Sequence, residues 1–256
     1  MKSHLIELKE KIHPLLINHF LESLEEKIDL ETIPKVECPI CKSSNIMYLP
    51  FNYRKDAFCP NCYSLERHRF LYHYLFNILD IYSKDMKILH FAPEKAIYDL
   101  LNDKPSIDYY PVDLNENYPL KIRRVVDMCS ICYEDNTFDM TLAVDVLEHI
   151  PDDRKAMKEL YRVVKPAAEG GIVILMVPLY RDLKATFENE EYNTPELRRK
   201  YFGQEDHVRK YGLDIIDRLE SVGFNVKEYR TTNVFNYEDI YKYGLKDVSI
   251  FICTKE

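Results

Sequence analysis

Residues 138–153, FDMTLAVDVLEHIPDD, carry the clearest fold signal in this chain. Residues 138–146 form a mostly apolar run, and residues 152–163 then carry apolar side chains at helical spacing. A short apolar run joined closely to an amphipathic helix is typical of a strand buried in a parallel sheet. Ligands bind beyond the carboxyl ends of such strands, which places Asp145 and His149 in a candidate site.

The same alternation of strands and helices extends on both sides of this unit. Further strands are predicted at residues 87–91, 108–112, 124–127, 171–177, 224–229 and 248–253, and further helices at residues 69–79, 94–101 and 213–221. This alternation predicts a Rossmann-like α/β domain with a seven-stranded, mostly parallel sheet and helices on both faces. A long polar stretch, residues 178–210, interrupts the pattern after the fifth strand.

The first part of the chain predicts an N-terminal helix over residues 4–30, because apolar side chains recur there at helical spacing around Pro14. An amphipathic helix of this kind covers the main domain or contacts a second copy of the chain in a homodimer. The predicted organisation is an N-terminal helical segment (residues 1–35), a small cysteine-rich module (residues 36–66) and the α/β domain (residues 67–256).

Two cysteine pairs define the small module. Cys38 and Cys41 enclose two residues, as do Cys59 and Cys62, and 17 residues separate the pairs. Each CxxC unit can place two thiolates on a tight turn, and two such turns can close a tetrahedron around Zn²⁺. Because four cysteines leave no open position, we predict a zinc ribbon with a structural metal that supplies much of its folding free energy. A third pair, Cys129 and Cys132, lacks a partner pair, and we interpret it as two free thiols.

Composition narrows the classes of partner. The chain has 256 residues, a net charge of −8 and 46% hydrophobic residues. No apolar run approaches the roughly 20 residues that a membrane helix needs, and the N-terminal segment lacks the features of a signal peptide. We expect a cytoplasmic protein without a membrane partner. The acidic balance argues against a nucleic-acid partner, because proteins that bind nucleic-acid backbones usually present basic surfaces.

Two blocks of sequence resemble a known family. Residues 138–153 resemble the fourth-strand motif of class I methyltransferases that use S-adenosylmethionine (SAM), in the type 11-like group. Residues 158–166, KELYRVVKP, with Gly170 and Gly171 after them, look like the next block of that family. The resemblance spans roughly residues 86–230 and implies a SAM-dependent methyltransferase. It does not specify the methyl acceptor.

More closely, the chain is similar to a bacterial subgroup that carries an N-terminal zinc ribbon. The matching pieces are CPNC (59–62), ERHR (66–69), HFAPE (90–94) and GQEDHVR (203–209). Many members of that subgroup look like tailoring enzymes for cell-surface glycans or other small metabolites. The resemblance therefore implies a role in polysaccharide biosynthesis, with a small molecule or glycan precursor as the acceptor and an oxygen as the methylated atom.

The first loop of the family usually carries an acidic residue and three glycines, and this chain departs from that pattern. His90 takes the acidic position, and Ala92, Glu94 and Ala96 take the glycine positions. Glycine-rich loops allow the close approach of a pyrophosphate. SAM has no pyrophosphate, so its binding does not require those glycines. A helix N-terminus after the loop can still receive the methionine carboxylate. We expect His90, Phe91 and Ala92 to line the cofactor site and Glu94 to pair with the SAM ammonium group.

Further cofactor contacts are expected at the ends of the next three strands. A carboxylate that ends the second strand can accept hydrogen bonds from both ribose hydroxyls, and the resemblance implies an adenine contact after the third strand. The fourth strand should end beside the sulfonium. The expected contacts are Asp113 and Leu114 at the ribose, Asp127 and Met128 at the adenine, and Val144 and Asp145 beside the sulfonium.

Catalysis by such an enzyme requires alignment of the acceptor and removal of its proton. Histidine is the commonest general base, and His149 and His207 are the two candidates. In this fold the segment after the fifth strand often covers the acceptor, and acids, a histidine and an arginine at 205–209 can orient a base and hold an anionic or hydroxyl-rich acceptor. The predicted substrate-binding residues are Arg67, His68, Tyr180, Arg181, Glu205, Asp206 and Arg209.

Two alternative functions belong to different classes. An RNA methyltransferase could use the zinc ribbon to dock RNA, although the ribbon between its cysteine pairs offers only Lys42, Arg54 and Lys55 as basic residues. A non-catalytic binding protein with this fold is the second alternative, because the first loop lacks glycines. Fold alone does not decide between these functions.

Overall fold

The computed structural model describes residues 35–45, 47–52 and 54–256. The predicted helix over residues 4–30 lies outside these described residues. The cysteine-rich module consists of two small antiparallel hairpins, a feature that the cysteine spacing does not specify. Strand β1 (Val36–Glu37) pairs with β2 (Ser44–Asn45), and β3 (Leu49–Phe51) pairs with β4 (Arg54–Phe58).

The main domain alternates strands and helices as predicted. Its strands are β5 (Met86–Phe91), β6 (Ile107–Asp113), β7 (Arg124–Val125), β8 (Met140–Val144), β9 (Ile172–Met176), β10 (Phe187–Glu188), β11 (Arg209–Lys210), β12 (Asn225–Arg230) and β13 (Ser249–Thr254). The α-helices are α1 (Glu66–Tyr72), α2 (Lys95–Asn102), α3 (Asp153–Val163), α4 (Pro195–Phe202), α5 (Ile215–Glu220), α6 (Thr231–Val234) and α7 (Tyr237–Lys242). None of these described helices is long and apolar enough to span a bilayer.

Seven strands form the central sheet in the order β7-β6-β5-β8-β9-β13-β12. The first five of these pair in parallel, and β13 runs antiparallel to both β9 and β12. The order reverses between β5 and β8, so the chain leaves the sheet in opposite directions from these neighbours. The prediction of a seven-stranded, mostly parallel sheet is confirmed, and the crevice at this reversal is the expected ligand site.

Amphipathic helices cover both faces of the sheet with their apolar sides. On one face, Ala156 and Leu160 of α3 and Leu219 of α5 are buried in one cluster. On the other face, Phe70 of α1 and Ile97 of α2 belong to a second buried cluster. Because each fully buried large apolar side chain contributes about 1.5–3 kcal/mol, these two layers fix the sheet and hold its carboxyl edge in place.

Two segments differ from the predicted pattern. The helix predicted at 69–79 begins at Glu66 and passes after Tyr72 into a wider π-helical turn, His73–Ile78. The polar stretch 178–210 contains α4 and a short hairpin of β10 and β11. Thr194 caps α4, since its hydroxyl accepts a hydrogen bond from the Leu197 amide (3.3 Å), and Gly203 ends the helix at a φ of 93°.

Arg69 attaches the cysteine-rich module to the C-terminal part of the main domain. Its guanidinium carbon lies 3.9 Å from the centre of the Tyr48 ring, and its side chain is fully buried. Its nitrogens donate hydrogen bonds to four backbone carbonyls, those of Ala57, Ser64, Tyr243 and Gly244. A buried arginine with this many acceptors joins two modules that share little apolar core.

Candidate active site and cysteine cluster

The four cysteines of the ribbon meet at one point. The Sγ atoms of Cys38 and Cys62 lie 3.6 Å apart, those of Cys41 and Cys59 lie 3.8 Å apart, and all four lie within 4.8 Å of one another. A tetrahedral Zn²⁺ with Zn–S bonds of about 2.3 Å would separate its sulfurs by roughly 3.7 Å. The donor set and its dimensions therefore fit a structural zinc ion.

The two cysteine turns have the same backbone geometry. In the first turn the Lys42 amide donates to the Cys38 carbonyl (2.8 Å), and in the second the Tyr63 amide donates to the Cys59 carbonyl (3.0 Å). Lys42 and Tyr63 both have a φ of 61°. This repeat explains how each CxxC unit directs two sulfurs inward. Cys129 and Cys132 are free thiols outside this cluster, as predicted.

The predicted cofactor loop joins β5 to α2 at the sheet edge. Ala92 stands where the family usually has its first loop glycine, and its φ of 46° lies in the left-handed region that glycine prefers. The loop therefore keeps a glycine-like backbone without a glycine. Glu94 is the N-cap residue of α2, with a side chain only 8% exposed. Its carboxylate and the first turn of α2 are the groups that could meet the methionine end of SAM.

A buried series of polar contacts supports this loop on its interior side. The Tyr109 hydroxyl lies 2.8 Å from Nδ1 of His90, and Nε2 of His90 lies 3.3 Å from Oε2 of Glu94. His90 is fully buried, so it would act on a cofactor by positioning Glu94. Tyr118 braces the loop from the outside, because its hydroxyl donates to the Pro93 carbonyl (2.7 Å). Sequence analysis missed both tyrosines, since only the fold brings them to the loop.

The predicted ribose and adenine residues lie at the end of β6 or shortly after the ends of β6 and β7. Oδ1 of Asp113, at the end of β6, accepts a hydrogen bond from the Asn115 amide (2.7 Å). Leu114 is 70% exposed, an unusual position for a large apolar side chain and a suitable one for contact with a flat base. Asp127 accepts a hydrogen bond from the Cys129 amide (2.8 Å) through Oδ1, and Met128 is buried. Their roles toward the cofactor stay predictions.

Arg67 reaches the end of β8 from helix α1. Its Nε atom lies 2.7 Å from Oδ2 of Asp145, which follows the buried Val144 and has a φ of 51°. Burial acts to lower the pKa of the Arg67 guanidinium, but the charges of Asp145, Glu94, Glu66 and Glu148 outweigh that effect and raise the pKa. Arg67 thus lies in a strongly acidic part of the site and stays charged.

A cleft opens beside Arg67, over the carboxyl ends of β8 and β9 and the start of β13. Its volume is about 390 Å³. Arg54, Arg67 and Arg181 contribute three guanidinium groups to its walls, and apolar surface comes from Met176–Leu179. Because the predicted ribose and adenine residues lie across the sheet, beyond β6 and β7, the prediction places this cleft on the acceptor side. Arg54 is a cleft residue that the sequence alone did not reveal, since it lies in β4 of the ribbon.

His149 and His207 meet at the same edge of the sheet. Their ring centres lie 4.7 Å apart with the planes at 86°. His149 is one-third exposed, and its Nδ1 lies 3.4 Å from Oδ2 of Asp206. Burial, and then the nearby His149, lowers the pKa of His207 to about 4. His207 is therefore neutral near pH 7 and a weak base, whereas efficient general bases have a pKa near the working pH.

Several other predicted substrate residues make contacts with other parts of the protein. Arg209 is buried, donates to the backbone carbonyls of residues 147, 150 and 151, and pairs with Glu188 (2.8 Å). It therefore positions the loop that carries His149. His68 is buried and accepts a hydrogen bond from the Leu65 amide at the start of α1. Glu205 pairs with Arg199 on an exposed surface, and Tyr180 lies half-buried beside Lys210. Their roles toward a substrate stay predictions.

Comparison with known proteins supports the family resemblance. Residues 103–175 match the family model described as a methyltransferase domain. The chain is 23% identical over 254 residues to phosphoethanolamine N-methyltransferase 2 of Caenorhabditis elegans, covering 81% of this chain and 55% of that protein. It is 29% identical over 76 residues to norajmaline N-methyltransferase of Rauvolfia serpentina, covering 30% of this chain and 25% of that protein. The chain thus spans about half or less of the length of these relatives.

A solved structure shares the fold. The PH0226 protein of Pyrococcus horikoshii superposes with a TM-score of 0.51 and 18% sequence identity, over 77% of this chain and 94% of that one. The matched methyltransferase domain model and the strand order of the sheet together support the resemblance to class I SAM-dependent methyltransferases.

Proposed function

We propose that the protein transfers a methyl group from SAM to an oxygen of an anionic small molecule or glycan precursor. The acceptor oxygen would be a sugar hydroxyl or a phosphate-like oxygen. The observation that carries this proposal is the cleft of about 390 Å³ over the carboxyl ends of β8 and β9, whose walls contain three guanidinium groups. Arg54, Arg67 and Arg181 there pair with the carboxylates of Glu66, Asp145 and Asp247, and an anionic acceptor would compete with these carboxylates for the guanidinium groups. Arginine binds phosphate and carboxylate groups through paired hydrogen bonds, which gives both affinity and orientation.

In the cofactor half of the site, residues that follow two strands, β5 and β6, would bind SAM. Glu94 at the start of α2 would receive the ammonium group, and Asp113 at the end of β6 would accept hydrogen bonds from the ribose hydroxyls. Leu114 would contact the base. Bound SAM would supply the reactive methyl carbon, and the left-handed Ala92 supports this arrangement because it preserves the loop geometry without a glycine.

The acceptor half lies between the arginines of the cleft and the two histidines. Arg67 and Arg181 would hold the anionic group, and the edge formed by His149 and His207 would face the oxygen that is methylated. Fixing both partners in this way lowers the entropic cost of an in-line displacement. A relative named for phosphoethanolamine, a phosphate-bearing small molecule, supports an anionic acceptor, although that name specifies a nitrogen as the methylated atom.

Labelled SAM tests the acceptor class. The full chain would be incubated with methyl-labelled SAM and a fractionated bacterial lysate, and label would be scored separately in anionic small molecules, glycan precursors, RNA and protein. Label in anionic small molecules or glycan precursors, on oxygen, is the expected result. Label confined to RNA would replace this proposal with the RNA methyltransferase, and label on nitrogen would contradict the acceptor atom.

A variant pair then tests the cleft. Arg181→Gln removes a cleft guanidinium, whereas Arg230→Gln removes a guanidinium that also pairs with Asp247 but does not line the cleft. Loss of one charge-assisted hydrogen bond is worth about 1.5–3 kcal/mol. We expect Arg181→Gln to raise the acceptor KM by about 10- to 100-fold and Arg230→Gln to change it little. Equal KM values in the two variants would exclude the cleft as the acceptor site.

A further inference from the structure

Three potential metal ligands meet just beyond the end of β8. Glu148 and His149 belong to the 3₁₀ turn Leu147–His149, and His207 comes from the segment between α4 and β11. One ligand atom from each residue lies within 4.8 Å of the others. The cluster lies apart from the four cysteines, because its residues follow the central strand and not the ribbon hairpins.

His207 presents an unused nitrogen to this cluster. The side chain is only 3% exposed, and Nε2 has no hydrogen-bond partner in the part of the chain that the structure describes. The ring also interacts with the backbone carbonyl of Phe202, and since Nε2 has no partner this contact involves Nδ1. A buried polar atom without a partner costs about 1–3 kcal/mol. A proton on Nδ1, facing that carbonyl, would leave the lone pair on Nε2, as in a metal ligand.

His149 and Glu148 complete the arrangement. Nδ1 of His149 lies 3.3 Å from the Asp206 backbone oxygen and 3.4 Å from Oδ2 of the same residue, while Nε2 lies 3.9 Å from Oε1 of Glu148. Metal-binding histidines usually donate their second N–H to a carboxylate or carbonyl in this way. The Glu148 side chain is only 2% exposed, and one of its carboxylate oxygens lies within 4.8 Å of a nitrogen of each histidine.

We propose that Glu148, His149 and His207 form a second metal site that binds a divalent first-row transition metal. Imidazole nitrogen favours such ions over Mg²⁺ and Ca²⁺, which prefer oxygen ligands. Ligand atoms that share one ion lie roughly 3–3.5 Å apart at the metal–ligand distances of zinc, so binding would draw the three side chains together by about an ångström.

The number of ligands distinguishes this site from the cysteine cluster. Two histidines and one glutamate leave at least one coordination position open, as catalytic metal sites do, whereas four cysteines leave none. Asp145, which lines the acceptor cleft, is three residues before Glu148. If the proposed function holds, the open position would receive the acceptor oxygen, and the histidines would act as ligands and not as general bases. Metal binding itself does not depend on that function.

Metal content tests the site without any assay of activity. The full chain would be loaded with Zn²⁺, freed of excess metal and measured for bound zinc per chain, as the native protein and as His149→Gln, Glu148→Gln and His207→Ala. Each variant should bind one equivalent less than the native protein. His73→Gln removes a histidine outside the cluster and should bind the native amount. Because only the difference counts, the result does not depend on the cysteine cluster.

Circular dichroism and cobalt absorption separate a lost metal site from a misfolded variant. His149 is partly exposed and Glu148→Gln preserves shape, so these variants should keep the native far-UV circular dichroism even if His207→Ala does not. Cobalt substitution should add an absorption spectrum of nitrogen and oxygen ligation, lost in His149→Gln. Equal zinc content in the native protein and in folded His149→Gln and Glu148→Gln would overturn the site. A native protein with a metal site but no methyl transfer would instead contradict only the proposed function.

Discussion

The Nε atom of Arg67 lies 2.7 Å from Oδ2 of Asp145, and this ion pair joins the helix after the ribbon to the end of the central strand. Both side chains are only partly exposed, at 20% and 25%, so the pair is less screened by water than a surface pair. It lies in the wall of the acceptor cleft. Residues of the ribbon and of the helix after it therefore line the proposed acceptor cleft, and substitutions in the ribbon should change the shape of this cleft.

The four-cysteine cluster should account for one zinc ion and much of the stability of the ribbon. We expect Cys59→Ser to lose one equivalent of zinc and to lower the stability of the cysteine-rich module by several kcal/mol, because metal binding supplies folding free energy in small modules. Zinc content and thermal unfolding measure both effects. Cys132→Ser, which removes an exposed thiol outside the cluster, should leave them unchanged. A zinc content unaffected by Cys59→Ser would contradict the ribbon assignment.

Even the conservative substitution of Arg69 by lysine should destabilise the protein. Lysine cannot reach four backbone carbonyls at once with one ammonium group, so we expect Arg69→Lys to lower the free energy of unfolding by about 3 kcal/mol. Arg123→Lys serves as a control, because its exposed pair with Asp108 should contribute at most about 1 kcal/mol. Chemical denaturation compares the two. A loss in Arg69→Lys no larger than in Arg123→Lys would show that Arg69 does not join the two modules.

Substitution by glycine should change the free energy of unfolding in opposite directions at Ala92 and at Ala96. The left-handed backbone costs an L-residue about 1–2 kcal/mol, so Ala92→Gly should stabilise the protein by roughly 0.5–1 kcal/mol. Ala96 lies in α2, where glycine should cost up to about 1 kcal/mol. Free energies of unfolding from denaturation curves give both signs. Destabilisation by Ala92→Gly would mean that residue 92 does not hold the glycine-like conformation.

Glu188 should make stability depend on acid pH. Burial acts to raise its pKa, but hydrogen bonds from Arg218 and Arg209 outweigh this and lower the pKa. A carboxyl with a lowered folded pKa stabilises the protein above its unfolded value of about 4.3 and loses this effect as the pH falls. Because the side chain is 38% exposed, we expect Glu188→Gln to cost only about 1 kcal/mol at pH 7.

Denaturation curves at pH 7 and at progressively more acid pH measure this effect. The difference between the native protein and Glu188→Gln should shrink below about pH 4.3, because protonated glutamate and glutamine are alike in charge. Glu190→Gln, an exposed position in the same segment, should show no such difference. A cost that stays constant with pH would mean that the charge of Glu188 contributes nothing.

The strands were predictable because burial leaves a local pattern. All five residues of β8 are buried, and an apolar run of that length is visible in the sequence. The four clustered cysteines were equally visible in the sequence, since their spacing itself reflects the geometry of the two turns. Both patterns involve residues that are close together in the chain, so they can be recognised without knowledge of the fold.

The contacts that shape the site were not predictable, because they join distant parts of the chain. Tyr109 and His90 are 19 residues apart, and Tyr118 and Pro93 are 25 apart. Arg54 belongs to the ribbon but lines the cleft. Helix α4 was missed because its apolar side chains are few and only Phe202 is buried, so its caps at Thr194 and Gly203 were the main local signal.

The most direct test of the account is calorimetric titration of S-adenosylhomocysteine into the zinc-loaded protein, with Asp113→Ala and Asp108→Ala as a matched pair. Both aspartates lie on β6, but Asp108 is at the far end and pairs with Arg123. We predict micromolar binding to the native protein and to Asp108→Ala, and at least about 10-fold weaker binding to Asp113→Ala, since a carboxylate that receives ribose hydroxyls is lost. No binding to the native protein, or equal binding to both variants, would contradict the proposed cofactor site.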